Sequence, residues 1–447
     1  MRFGWFEEGL RADVIALTED PRRNYKAMRR VDFVMKDGTI WKQDGRAVGM
    51  IEHHHNTDQN ASMAADQPNG QGQSHGQSQS QTRGASTVKT IHCSGTPYEI
   101  GLVHGREAAP EVRANIAIYT AYFRERASLT WDAARSAAQL YLPTLRQLYP
   151  EILDEMTGIA HGVGGDVAME DILTLNLRSE ILLTTYSDGC TCVAQRTARG
   201  DMFLGQNWDW IEQLRQSIVF LRVAPRGGDL TMHFMTEAGL VGKIGMNSAG
   251  VGLCMNAIRC AAKDVTKLPV HVMMRRVLQF AHSFDEALEI LAQPGLASAV
   301  NFMIADRSGR FGDVECTPAG NVVIRPQESS PRAGPFVVHT NHLYSDIKDR
   351  VRDTPAKHSF ARQERMVELT KADGDRGVEA SFDSLRARFS DEQGWPFSIC
   401  RDTPDRGSTS MEIHPTVCCG MMELTSGQAR FLIGRPSEDV PVVEFSI

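Results

Sequence analysis

The apolar positions of this chain follow two rhythms, and the change between them falls near position 189. Beyond it, short runs rich in β-branched, aromatic and aliphatic residues recur: Met202-Phe203-Leu204-Gly205, Ser217-Ile218-Val219-Phe220-Leu221-Arg222-Val223 and Thr231-Met232-His233-Phe234-Met235. Runs of this length bounded by turn residues predict strands. Residues 241–246 and 251–256, joined by Asn247-Ser248-Ala249-Gly250, predict a hairpin, and further strands are expected at 299–306, 312–316, 417–424, 428–433 and 440–445. Before position 189 the spacing is helical, over residues 112–126, from 130 toward 149, and over 150–161, with Gly162 as a stop. Thr96-Pro97-Tyr98-Glu99 is a start signal. Thr96 suits the N-cap, Pro97 the first helical position, and Glu99 completes a capping box. Helices return at 270–282, 283–291, 362–371 and 381–388. Alternating blocks of strands and helices predict an α+β fold, with stacked antiparallel sheets covered by helices.

The rhythm is lost over residues 51–86. Pro68-Asn69-Gly70-Gln71-Gly72-Gln73-Ser74 typifies this stretch, which holds few apolar residues and cannot offset chain entropy by burial. It is expected to be a disordered polar linker, and His53-His54-His55 is read as part of it rather than as a metal site. Residues 1–50 carry two predicted strands, 11–17 and 31–41, the second interrupted by an Asp37-Gly38 turn. Ala12-Asp13-Val14-Ile15-Ala16 and Val34-Met35-Lys36-Asp37-Gly38 resemble the C-terminal tail of amidohydrolases. The barrel and metal-binding histidines of those enzymes are missing, so the resemblance implies no activity. The segment is read as a fusion remnant or a wrongly joined reading of the gene. From residue 88 onward the chain reads as one globular unit.

Composition narrows the classes of function. The 447 residues are 42% hydrophobic and 23% charged, with a net charge of −7, which disfavours nucleic acid or an anionic membrane as partner. No apolar run reaches the length of a membrane span. The first ten residues include Glu7 and Glu8 and no continuous apolar stretch, and the chain closes on Glu444-Phe445-Ser446-Ile447, unlike a peroxisomal address. With nine cysteines, an odd number, a reduced cytoplasmic setting is expected.

The chemistry concentrates at Asp188-Gly189-Cys190-Thr191, followed by Gly205-Gln206-Asn207-Trp208-Asp209. A thiol directly after glycine suggests a precursor that cuts its own backbone. An N-terminal cysteine carries both a nucleophilic sulfur and an amine able to accept its proton. These stretches recur in register with Gly95-Thr96-Pro97-Tyr98-Glu99-Ile100-Gly101, Thr236-Glu237-Ala238-Gly239, Asn247-Ser248-Ala249-Gly250, His339-Thr340-Asn341-His342 and Pro396-Phe397-Ser398-Ile399-Cys400-Arg401. Taken together, residues 88–447 resemble the acyl-coenzyme A:isopenicillin N acyltransferase-like family of self-processing cysteine N-terminal nucleophile hydrolases.

The resemblance implies a four-layer αββα sandwich and cleavage between Gly189 and Cys190. An α-chain (88–189) and a β-chain (190–447) would then form an αβ heterodimer. It also implies Cys190 as nucleophile, Asp209 beside the nucleophile's amine, Asn341 in the oxyanion hole and Arg406 lining the site. Cys192, His339 and His342 are read as structural or supporting, since a free amine makes a histidine base unnecessary. Two departures stand out. Thr317 and Asp405 each replace a family serine, and an acid beside Arg406 would compete for that arginine and repel an anionic substrate. No cofactor or metal is expected. Acyl-coenzyme A would enter as co-substrate, with a small amide or amine as partner. Three readings stay open: acyl exchange, hydrolysis of N-acyl amino acids or lipid amides, and an inactive binding relative.

Overall fold

The computed structural model describes residues 14–17, 31–36, 39–43, 46–47, 88–182, 189–327, 334–403 and 414–447. Two compact units divide the chain, Met1–Thr82 and Arg83–Ile447. In the first, β1 (Val14–Leu17), β2 (Val31–Lys36), β3 (Thr39–Gln43) and β4 (Arg46–Ala47) form an antiparallel sheet in that order. Lys36 pairs with Thr39. The expected Asp37-Gly38 turn between them lies outside the described residues, as does the expected linker at 51–86.

The second unit opens with β5 (Lys89–Gly95) and α1 (Pro97–Glu107). The capping box forms as the sequence predicts. The Thr96 hydroxyl accepts the Glu99 N–H at 3.3 Å, and the Glu99 carboxylate accepts the Thr96 N–H at 2.8 Å. α2 (Ala109–Ala127) follows. The helix expected from 130 toward 149 is two, α3 (Trp131–Gln139) and α4 (Leu142–Leu148). Pro143 explains the break, because proline offers no N–H and its ring clashes with the preceding turn unless it sits at a helix start.

α5 (Pro150–Val163) runs through Gly162 instead of stopping there. Tertiary contact overrides the local signal. A Cβ on Gly158 would lie 2.2 Å from the Tyr98 carbonyl oxygen, and one on Gly162 2.4 Å from that of Leu102. Gly101 and Gly105 of α1 face the α5 backbone equally closely. These glycines let two helix backbones touch. α6 (Met169–Asn176) and α7 (Arg178–Leu182) complete the helical half.

Then come β6 (Gly189–Arg196), β7 (Met202–Asp209), a 3-10 turn at Glu212–Ser217, β8 (Ile218–Pro225), β9 (Met232–Glu237), β10 (Ile244–Asn247) and β11 (Val251–Ala257). The predicted hairpin joins β10 to β11. The Asn247 side chain shapes it, its oxygen accepting the N–H groups of Ala249 and Val251. After α8 (Val270–Phe280) and α9 (Phe284–Ala292) come β12 (Val300–Asp306), β13 (Phe311–Thr317), β14 (Gly320–Ile324) and β15 (Phe336–His339). The remainder is α10 (Lys348–Val351), α11 (Lys357–Asp375), α12 (Phe382–Phe389), β16 (Thr416–Glu423), β17 (Gln428–Leu432) and β18 (Val442–Ser446).

Eight strands form one sheet, ordered β14-β13-β12-β11-β10-β9-β8-β5, and six form another, β15-β6-β7-β16-β17-β18. β5 pairs with β8 in parallel; the remaining pairings are antiparallel. β11 and β12 lie against β6 and β7, so the sheets meet face to face over the main core. Helices α1, α8 and α9 cover the outer face of the larger sheet, and α11 and α12 that of the smaller. The architecture is a four-layer αββα sandwich. Among the described residues no helix is long and apolar enough to cross a membrane.

Candidate active site

β6 and β7 lie side by side in the smaller sheet, against the larger one, and their register builds the site. Gly189 faces Asp209, Cys190 faces Trp208, Thr191 faces Asn207 and Cys192 faces Gln206. Because successive side chains point to opposite faces, Cys190, Cys192, Gln206 and Trp208 turn inward, toward the larger sheet. Gln206 ties the sheets together there, accepting the Met255 N–H of β11 at 2.9 Å. Thr191, Asn207 and Asp209 turn toward the outer helices. Asn207 donates to the carbonyls of Phe389 and Ile399 at 2.9 and 3.0 Å.

Gly189 has a specific reason to be glycine. A Cβ there would sit 2.5 Å from both the Asp209 Oδ2 and the Arg401 Nη1. The carboxylate and guanidinium occupy the space a side chain would need, directly beside the Gly189–Cys190 peptide. Asp209 is fully buried, with Oδ1 accepting the Thr416 hydroxyl at 2.7 Å and Oδ2 lying 3.2 Å from the Arg401 Nε. Burial pushes its carboxyl above the ordinary range, while Arg401, Arg362 and the Thr416 hydroxyl oppose that shift. Thr416 also accepts the Arg401 backbone N–H at 2.9 Å, which locks the acid and the arginine into one unit.

Asn341 arrives from the loop after β15. Its Oδ1 accepts the Cys190 N–H at 2.8 Å and an Arg362 Nη2 hydrogen at 2.8 Å, and its Nδ2 donates to the Ala257 carbonyl at 3.0 Å. Two donors on one side and an acceptor on the other leave a single amide orientation. The oxygen, not the NH2 group, therefore faces the Cys190 nitrogen in the uncleaved chain. Ser359 anchors the loop by accepting the Asn341 N–H at 2.8 Å.

The flanking histidines are engaged elsewhere. His339 Nε2 lies 3.1 Å from Glu315 and 3.7 Å from Asp313, and its Nδ1 meets the Thr340 carbonyl. Burial opposes its charge, but the two carboxylates raise its pKa overall; Asp313 in turn is pushed up to about 7, chiefly by burial. His342 packs against Phe360 and meets Ser359, and burial lowers it to about 3. Thr317 serves a turn at the end of β13, its hydroxyl donating to the Gly320 carbonyl.

Arg406 and Asp405 lie outside the described residues. Two other arginines stand at the site. Arg401 ends the quoted Pro396–Arg401 stretch, so its position was visible in the sequence although no role was attached to it. Arg362 had a fainter signal. The buried positions of α11 are Ser359, Arg362, Gln363, Met366, Thr370 and Gly374, a helical stripe that is largely polar where an apolar one is normal.

A second buried cluster backs Trp208. Lys243 Nζ lies 3.2 Å from the Trp208 ring centroid and 2.6 Å from Glu237, which also takes Arg178 at 2.7 Å and the Tyr119 hydroxyl. Burial alone would raise the Glu237 carboxyl, but Arg178 and Lys243 hold it well below the usual range. Glu237, the last residue of β9, is the anion of this cluster.

Residues 196–438, more than half of the chain, match the family described as acyl-coenzyme A:6-aminopenicillanic acid acyl-transferase. The chain belongs to this family. Among its relatives is the acyl-coenzyme A:6-aminopenicillanic-acid-acyltransferase 40 kDa form of Emericella nidulans, 29% identical over 364 residues that span 80% of this chain and 96% of that protein. An uncharacterized protein of Archaeoglobus fulgidus is 22% identical over 260 residues, 49% of this chain and 41% of its own. Solved structures resemble this acyl-transferase family member more distantly. A variant of conjugated bile acid hydrolase from Clostridium perfringens has a TM-score of 0.43 at 15% identity, covering 57% of this chain and 92% of that one. Penicillin V acylase from Agrobacterium tumefaciens has a TM-score of 0.40 at 15% identity, covering 58% and 86%.

Proposed function

We propose that this acyl-transferase family enzyme is a self-cleaving acyltransferase or amide hydrolase that works through the Cys190 thiol. One observation carries the reading: Asp209 and Arg401 fill the side-chain space of Gly189 while the Asn341 oxygen holds the nitrogen of the adjoining peptide bond. In maturation, the Cys190 sulfur would attack the Gly189 carbonyl carbon, and the bond from that carbon to the Cys190 nitrogen would break. The result is a thioester and a free amine. Water would then hydrolyse the thioester, leaving a Gly189 carboxylate and the Cys190 thiol.

In turnover, the freed amine would accept the thiol proton. The sulfur would attack an acyl donor, expel its leaving group and hold the acyl group as a thioester. An amine or water would then take that acyl group. Asp209 would stabilise the ammonium form of the nucleophile, and Asn341 would orient its nitrogen. The fungal relative is named for acyl-coenzyme A and 6-aminopenicillanic acid, so an acyl-coenzyme A thioester is the first donor to try and an amine the first acceptor class. The chain would work as a 1–189 piece bearing the helical half and a 190–447 piece bearing most of the strands.

A denaturing gel tests maturation. Wild type should separate into residues 1–189 and 190–447, while Cys190→Ala stays whole; a wild-type protein that remains one chain after prolonged incubation sinks the reading. Thioester consumption by the cleaved enzyme, with 6-aminopenicillanic acid or with water alone, then distinguishes transfer from hydrolysis.

A further inference from the structure

Self-cleavage and turnover, on the reading above, pass through the same kind of bond. In the first, the carbon joined to the Cys190 sulfur is the Gly189 carbonyl carbon, and its neighbour is the Gly189 α-carbon. In the second, the carbon on that sulfur is the acyl carbon, and its neighbour is the α-carbon of the acyl group. The uncleaved chain therefore displays the walls around an atom at that position.

The walls are close. A methyl carbon on the Gly189 α-carbon would lie 2.5 Å from the Arg401 Nη1, 2.5 Å from the Asp209 Oδ2 and 2.6 Å from the Arg401 Cζ. All three fall well inside the ~3.5 Å at which non-bonded atoms sit comfortably. Side-chain ends yield easily on an open surface, but these two are buried and held. The Asp209 Oδ1 accepts the Thr416 hydroxyl at 2.7 Å, and Oδ2 lies 3.2 Å from the Arg401 Nε. The Arg401 backbone N–H is bound to Thr416, and its Nη2 donates to the His358 Nδ1 at 2.8 Å. The His358 ring stacks on Phe397 with centroids 4.9 Å apart and planes 3° from parallel, and the Arg401 guanidinium lies 5.6 Å from the Phe397 ring centroid. Acid, arginine and ring pair thus brace one another from β7, α11 and the loop after α12. Moving either end would break a charge-assisted hydrogen bond in a buried setting.

Resting on the reading that Cys190 carries the acyl group as a thioester, we propose that Asp209 and Arg401 also select that group, admitting acyl donors whose carbonyl is followed by a CH2 and rejecting those branched at the α-carbon. The restriction falls on one carbon. It leaves the length and chemistry of the remaining acyl chain open.

The test uses the cleaved enzyme and two activated esters with one leaving group, p-nitrophenyl propionate and p-nitrophenyl isobutyrate. They differ by a single methyl on the α-carbon. With either, the Cys190 sulfur bonds to the acyl carbon, the bond from that carbon to the phenol oxygen breaks, and the thiol proton ends on the p-nitrophenol. The initial release of p-nitrophenol is measured, and release by enzyme first blocked at Cys190 with iodoacetamide is subtracted. The propionate-to-isobutyrate rate ratio is then divided by the same ratio for cysteine methyl ester in solution, which removes the intrinsic reactivity of the esters. For wild type this quotient should be at least about ten, the effect of forcing one extra methyl into a packed site. Arg401→Gln removes the Cζ and Nη1 atoms and keeps an amide that can donate to Asp209, so its quotient should fall at least about three-fold. A wild-type quotient near one overturns the proposal, and so does an Arg401→Gln quotient equal to that of wild type. Acylation by neither ester also overturns it, since the space left by Gly189 would then admit no acyl group. If Arg401→Gln fails to fold or to cleave, His358→Ala, which removes the support of the guanidinium, takes its place with the same two outcomes. Failure of the underlying reading is distinct: wild type would then yield no peptide beginning at Cys190 in mass spectrometry, before any ester is added.

Discussion

At Gly189 the room for a side chain is already taken. Gly189→Ala would press a methyl group against Asp209 and Arg401 and displace the peptide that the proposed cleavage would cut. A misplacement of about 1 Å at a reacting centre costs on the order of a hundred-fold in rate, so self-cleavage of this variant should slow by at least that factor in a gel time course. Cleavage at the wild-type rate would show that the packing around Gly189 is irrelevant to maturation. The dipeptide itself was legible in the sequence, as were Asp209 and Asn341 through their motifs. Their mutual geometry was not, because Asn341 reaches Cys190 from a loop 151 positions away. The orientation of its amide depends on Arg362 and Ala257, which no local pattern links to it. Arg362 escaped notice because a lone arginine in a helix reads as a solvated side chain until the helix is seen to be buried against β6 and β15.

At the scale of elements, the pairing of α1 with α5 shows how contact reverses a local rule. Glycine is a poor helix residue, and replacing it with alanine in an exposed helix stabilises by roughly 1 kcal/mol. Gly158→Ala should do the opposite here. Its Cβ would fall 2.2 Å from the Tyr98 carbonyl, and forcing the helices apart should destabilise the fold by about 2 kcal/mol in urea unfolding. A neutral or stabilised variant would mean that the helices separate freely. Most elements were legible at this scale. The capping box before α1, the β10–β11 hairpin and the strands of the second half follow from local turn chemistry and apolar alternation. The errors came where a residue had two meanings. Gly162 looked like a helix stop but is a contact surface, and Pro143 inside an apparently continuous run starts a new helix.

For the whole molecule, buried histidines set the response to acid. Burial lowers the pKa of His104, His342 and His414 to about 3, His233 to about 4 and His358 to about 2, and takes His271 well below its ordinary value. Each stays neutral in the folded chain and binds a proton when unfolded below about pH 6.5. The unfolded state then holds more protons, so stability is fully present above about pH 6.5 and is lost as the pH falls below it. His339 and Asp313, both raised, act in the opposite direction, as do the raised carboxyls of Glu155, Glu180, Asp209 and Asp353. The uncleaved Cys190→Ala chain should lose unfolding free energy between about pH 7.5 and about pH 5.5 in denaturant titrations. A flat profile would contradict the burial of these rings. By itself, the sequence determined the α+β class and the family and singled out the Gly189-Cys190 dipeptide, because strand alternation, helix caps and short motifs are written in neighbouring residues. The tertiary structure alone decided that β6 and β7 of the smaller sheet pack against the larger one, that Asp209 and Arg401 occupy the missing side chain of Gly189, and that Arg362 and Asn341 close on Cys190. Those are contacts between residues far apart in the chain, and they exist only once the layers have packed.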